Sequence, residues 1–130
     1  MTLLEDIITY LQANGLVQGD GIDAFRDFKP DEPDNIISLH EYKGDPVSPF
    51  TQVVHRSVQV VVRNKSAAAA KTKADELFSA FRKYDDAQRI DLTPTRWGQF
   101  HIRQFPFKLS QDNRDRTHYS FNLGITTTID

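Results

Sequence analysis

Apolar positions at the start of the chain recur with the period of a helix. Leu3, Leu4, Ile7, Ile8 and Leu11 fall within one stripe at 3.6-residue spacing. Thr2 and Glu5 have the spacing of a capping box, in which hydroxyl and carboxylate satisfy the free amide donors of a helix start. Gly15, after Asn14, is the residue type that accepts a left-handed conformation at a helix end. The pattern predicts a helix over Leu3–Ala13.

From there to residue 52 the runs are shorter and broken by turn chemistry: Gly19-Asp20-Gly21, Lys29-Pro30-Asp31-Glu32-Pro33, Gly44-Asp45-Pro46 and Ser48-Pro49. Strands are expected over 22–28 and 35–42. The segment 43–52 holds two prolines that forbid continuous ladder bonding, so it is expected to project as a loop. Residues 53–63 alternate, with Val58, Val60 and Val62 on one face and Gln59 and Arg63 on the other. Ser66 stands as an N-cap before a stripe of Ala70, Ala74, Leu77, Phe78 and Phe81, with Arg82 and Lys83 at the end that favours cations. This predicts a helix over 67–83, and the tetra-alanine 67–70 is ordinary helix propensity.

The last third predicts strands over 89–92, 97–107 and 117–128. In the last of these Tyr119, Phe121, Leu123 and Ile125 alternate against Ser120, Asn122 and Thr126. The final two strands should pair as a hairpin across Ser110-Gln111-Asp112-Asn113-Arg114-Asp115, residues that bond their own backbone in turns. The order is then α-β-β-β-α-β-β-β. Two helices with one apolar stripe each, and strands with one apolar face, are satisfied together in an α+β two-layer sandwich: a mostly antiparallel sheet with both helices packed on one face. No repeat or linker divides residues 1–130, so one domain is expected.

Composition narrows the class. A chain of 130 residues can bury a core without staples, and the absence of cysteine removes disulfides, thiolate metal sites and cysteine nucleophiles. No apolar run is long enough to span a membrane, and Glu5 and Asp6 stand where a signal peptide would carry basic residues, so a soluble, unexported protein with no membrane partner is expected. The net charge of −2, with both signs mixed along the chain, gives no basic field for a phosphate backbone, so nucleic acid is not the expected partner.

Candidate chemistry is sparse. His40, His55, His101 and His118 lack ligand spacing, and no nucleophile elbow, phosphate loop or paired metal histidines occur. Asp85 and Asp86 read as turn residues rather than an acid–base pair. No active site, metal or cofactor is assigned, and an enzyme is not expected. One different class stays open: the stretch 96–105 loosely resembles the base-stacking strand of an RNA-recognition domain, which would make the chain a nucleic-acid-binding module. Against it, Phe100 and Ile102 lie on the face opposite Trp97, His101 and Phe105, and one of those sets must be core.

Two stretches carry a family resemblance. Within 56–81 a strand over 58–63, ending in Arg63, feeds a helix after the short polar turn that ends in Ser66. The chain then finishes with a turn rich in aspartate, asparagine and arginine, followed by Tyr119-Ser120-Phe121-Asn122-Leu123. Both resemble the tail terminator (minor capsid) proteins of long-tailed bacteriophages, as does the order of elements; residues 20–49 match nothing in that pattern. The resemblance implies a structural subunit, from a phage or prophage, that forms a ring, commonly a hexamer. Such a ring caps the tail tube, ends its polymerisation and offers a joining surface to the head. The implied partners are copies of itself, the tail tube protein and the head-side connector protein. The implied location is the head–tail junction of the virion, reached after assembly in the bacterial cytoplasm. A head–tail connector or neck subunit is the alternative within the same setting.

Ring assembly needs contact residues. Val47 and Phe50 are apolar residues on the stiffened loop 43–52, open either to partner contact or to folding back over the sheet edge. Arg114 and Arg116 in the hairpin turn offer guanidinium groups for a neighbour's carboxylates, with a solvated turn as the plainer alternative.

Overall fold

Local chemistry fixes both ends of the first helix, α1 (Leu3–Ala13), in the computed structural model, which describes residues 2–82 and 89–129. The Thr2 hydroxyl oxygen accepts the Glu5 N–H at 3.3 Å while the Glu5 carboxylate accepts the Thr2 hydroxyl at 3.0 Å and its N–H at 3.5 Å, completing the capping box. At the other end Gly15 takes φ +72°, where a side chain would be strained. The second helix, α2 (Ala67–Phe81), starts on Ser66, whose hydroxyl accepts the Ala69 N–H. It stops two residues before the expected end because Arg82 is already extended; Lys83, Asp85 and Asp86 lie outside the described residues.

Seven strands are described: β1 (Ala24–Arg26), β2 (Ile36–Tyr42), β3 (Val53–Asn64), β4 (Arg89–Thr93), β5 (Arg96–Ile102), β6 (Phe107–Gln111) and β7 (Thr117–Thr128). They form one mixed sheet in the order β1-β2-β3-β7-β5-β4, with β6 also on β7. All pairs are antiparallel except β1 with β2. The spine is the β3–β7 ladder, in register from Val53↔Thr128 to Asn64↔Thr117, roughly 35 Å of strand. The expected α+β sandwich stands, with α2 over β3, β7 and β5, and α1 beside it against β4 and β1.

Two strands differ from expectation. The single strand over 97–107 is two: β5 pairs with Leu123–Thr127 and β6 with Thr117–Ser120, and between Ile102 and Phe107 the register on β7 slips by two residues. Pro106 sits in that slip, where it has no N–H to give the ladder. The strand expected over 22–28 shrinks to three residues and runs parallel to β2. Asp27 ends it at φ +55°, its carboxylate accepting the Glu41 N–H at 3.0 Å.

The apolar alternation points inward as the pattern requires. Ile37, Leu39, Val58, Val60, Val62, Phe100, Phe121, Leu123 and Ile125 are all buried beneath the helices. Ala70 and Ala74, both fully buried, let α2 lie close on β3 and β7. One polar pair interrupts this core: Asp6 of α1 meets Arg96 of β5 at 2.6 Å, with both side chains only 7% exposed. Arg96 also donates to the Thr128 carbonyl at 3.1 Å, and the Thr127 hydroxyl donates to the Trp97 carbonyl at 2.6 Å. The pair therefore fastens α1 to the end of the central ladder.

Removing one member strands the other charge in the core. Asp6→Ala is expected to cost about 3–5 kcal/mol in urea unfolding, whereas replacing both by apolar residues of similar volume should recover most of it. A single Asp6→Ala change that leaves the midpoint in place would refute the clamp.

Candidate functional site

The candidate contact residues lie at opposite ends of the β3–β7 ladder. The loop 43–52 leaves β2 and returns into β3 at Val53, the end paired with Thr128. The turn carrying Arg114 and Arg116 enters β7 at Thr117, the end paired with Asn64. Val47 and Phe50 are thus grouped, and so are the two arginines, with the length of the spine between the groups.

The loop is stiff at its base and bare at its tip. Gly44 passes so close to β3 that a Cβ would stand 2.5 Å from the His55 carbonyl oxygen, so only glycine fits without a backbone shift. That carbonyl accepts the Asp45 N–H at 3.2 Å, and the Gln52 carbonyl accepts the Ile129 N–H at 2.9 Å. Within the loop, Ser48 and Thr51 hydroxyls accept the N–H groups of Phe50 and Val53. At the tip Phe50 is 95% exposed, so its ring does not fold back over the sheet edge. Val47, 62% exposed, borders a shallow depression with Val54 and Ile129.

At the other end the two arginines separate. Arg114 is exposed, whereas Arg116 is only 4% exposed and turned into the subunit. Arg116 meets the Asp112 carboxylate at 2.8 Å, the Asp31 carbonyl at 2.5 Å and the Asp34 carboxylate at 3.5 Å. Beside it Arg63 donates to the Pro33 carbonyl at 2.7 Å and the Asp34 carbonyl at 3.0 Å. The pair pins the segment between β1 and β2 to the hairpin, leaving Arg114 as the guanidinium presented outward at this turn.

Asp112 organises the turn. Its carboxylate accepts the N–H groups of Arg114 and Arg116 at 2.9 and 3.0 Å, and His118 Nε2 lies at 3.2 Å. Partial desolvation pushes this carboxyl up, but these bonds, led by the Arg116 N–H, outweigh it and hold it well below the usual carboxylate range.

The sheet face away from the helices is polar yet largely closed, a feature the alternation of small residues hinted at without revealing. Ser38, Ser57 and Ser120 are buried, and Gln59 donates to the Ser120 hydroxyl at 3.1 Å. Arg103 reaches across Gly124 to the Ser57 and Tyr42 hydroxyls at 3.1 and 3.2 Å. On the opposite, helix-side face, Arg56 grips Glu41 through two bonds of 2.6 and 2.7 Å. Among the described residues no group of three histidines or carboxylates is placed to hold a metal ion. His40 pairs with Ser38 and His55 with Thr126, each apart from the others. The base-stacking resemblance of 96–105 divides: Phe100 is fully buried, Ile102 packs on the core, and Trp97 is half-buried with the Arg89 guanidinium 5.0 Å over its ring.

The fold is thus an α+β sandwich whose sheet carries an exposed loop at one end of its central ladder and a polar turn at the other. Comparison with known families agrees: the model of the bacteriophage tail terminator protein family matches residues 10–129, and the chain belongs to that family. The family is structural rather than enzymatic, and its place is the phage tail. No curated protein matches the chain.

Because Asp112 is depressed in the folded state, its stabilisation is complete above the unfolded carboxylate value and is lost as pH falls through the lower folded one. Thermal melts from about pH 5 to pH 2 should show a falling midpoint that is steeper for the native chain than for Asp112→Asn, which should itself melt lower at neutral pH. Equal acid slopes in the two proteins would contradict the assignment.

Proposed function

We propose that this chain is the subunit of a ring that caps the phage tail tube, ends its polymerisation and provides the surface on which the head is joined. The observation that carries this is the family match over residues 10–129. The form of the subunit supports it. Binding elements stand at both ends of a rigid ladder, and a ring between tube and head needs two axial faces. Val47 and Phe50, on a loop stiffened by two prolines and anchored to β3, lose little freedom when they meet a partner, and we assign them to the tail tube or a neighbouring copy. Arg114 at the far end is assigned to a carboxylate of a partner; Arg116, engaged within the subunit, supports the turn that presents it. The partners are then copies of the chain, the tail tube protein and the head-side connector protein. The location is the head–tail junction, with assembly in the bacterial cytoplasm.

Val47→Ser with Phe50→Ser separates contact from folding. Stability should change by no more than about 0.5 kcal/mol per site, because both side chains are exposed. In phage assembled with this variant, tails should lack the subunit and run beyond their normal length on electron micrographs. Tails of normal length carrying the variant would sink the role given to the loop.

A further inference from the structure

The two margins of the sheet near the hairpin turn differ in charge, and each carries exposed apolar side chains. In the half of the sheet near the hairpin turn the strand order is β1-β2-β3-β7-β6, so β1 and β6 bound it on opposite sides, four strand spacings or roughly 19 Å apart along the sheet. Beyond β1 the surface is acidic and carries two bare apolar side chains, Ile22 at 55% and Phe28 at 60% exposure. From Asp20 to Asp34 the chain holds six carboxylates against Arg26 and Lys29; Arg26 pairs with Asp20 and Glu5, and Asp34 with Arg116 and Lys65.

The β6 margin is the complement. All five residues of β6 are exposed, and its outer edge pairs with no described strand. At the slip between β5 and β6 lies a groove of about 400 Å³ lined by Phe78, Ile102 and Phe105. Phe105 stacks on Phe78 at 5.1 Å between ring centres yet stays 74% exposed, and the Arg82 guanidinium lies 6.0 Å over the Phe78 ring. Residues 101–111 include Arg103 and Lys108 and no carboxylate. Gln104 Oε1, in the same groove, is buried without a donor.

We propose that copies of this chain join head to tail, with the Phe28 margin of one copy seated in the Phe78–Phe105 groove of the next. The occupant is a second copy because the chain itself supplies the complementary margin, apolar residues set among carboxylates, on a side that cannot reach the groove within one molecule. An open strand edge and an exposed aromatic stack are surfaces that proteins ordinarily cover. A contact between two different margins is heterologous, and with the right rotation it closes into a ring. The inference rests on the ring proposed above and specifies its subunit interface.

The chain has no cysteine, so introduced thiols report cleanly. Lys29→Cys and Leu109→Cys, combined in one chain and treated with a short bis-maleimide linker, should give a ladder of covalent oligomers. Lys29→Cys with Thr95→Cys should give none. Phe28→Ser and Phe105→Ser should each abolish assembly alone, and their mixture should form a dimer and nothing larger, since each retains one intact margin. Assembly in light scattering without the 29–109 ladder would overturn this interface while leaving the ring. Dimers cross-linked by Lys29→Cys alone would mean a two-fold contact and overturn it as well. Monomers at every concentration, with no ladder, would overturn both the interface and the ring.

Discussion

The twelve-residue pairing of β3 with β7 is the constraint on which the rest of the structure depends. Its inner face supplies much of the floor for α2, and its outer face carries buried serines and the reach of Arg103 to Ser57. The loop 43–52 enters at one end and the Asp112 turn at the other. On one flank β2 runs along the ladder; on the other, β5 and β6 divide the free edge of β7 between them. A long ladder in a small chain therefore sets where exposed elements stand: the loop 43–52 and the Asp112 turn at its ends, and β1 and β6 along the sheet margins. The buried Asp6–Arg96 pair ties α1 to the same spine.

Much of this was legible in the sequence because it is local. The capping box, the left-handed Gly15, the N-cap at Ser66 and the alternation of Val58, Val60 and Val62 each act within a few residues, and each appears as read. The divergences come from contacts between distant residues. The stretch from Ile102 to Phe107 is apolar enough to pass for one strand, and only Pro106 signalled the break. The parallel pairing of β1 depends on β2, which no pattern within 22–28 encodes. Asp6 and Arg96 are ninety residues apart; the local sign was a carboxylate set among the apolar positions of α1.

The candidate contact residues divide along the same line. Prolines flank Val47 and Phe50 whatever the rest of the chain does, so a projecting loop could be read directly, and both residues are exposed. Arg114 and Arg116 look equivalent in sequence. They differ because the segment between β1 and β2 crosses over one of them and offers it the Asp31 carbonyl and the Asp34 carboxylate. The groove at Phe78 and Phe105 had no sequence signature, since it exists only where α2 meets the slip between β5 and β6.

The tail terminator family is structural, and the proposed function asks this chain to hold surfaces at fixed positions. In the proposed function the subunits close on themselves and do not polymerise. The most direct test is the mass of the purified chain by light scattering across a concentration series. A closed ring predicts a rise from the 14.9 kDa monomer to a plateau at a fixed integer multiple that further concentration does not exceed. A mass that stays at the monomer value throughout, or one that grows without limit, would contradict it.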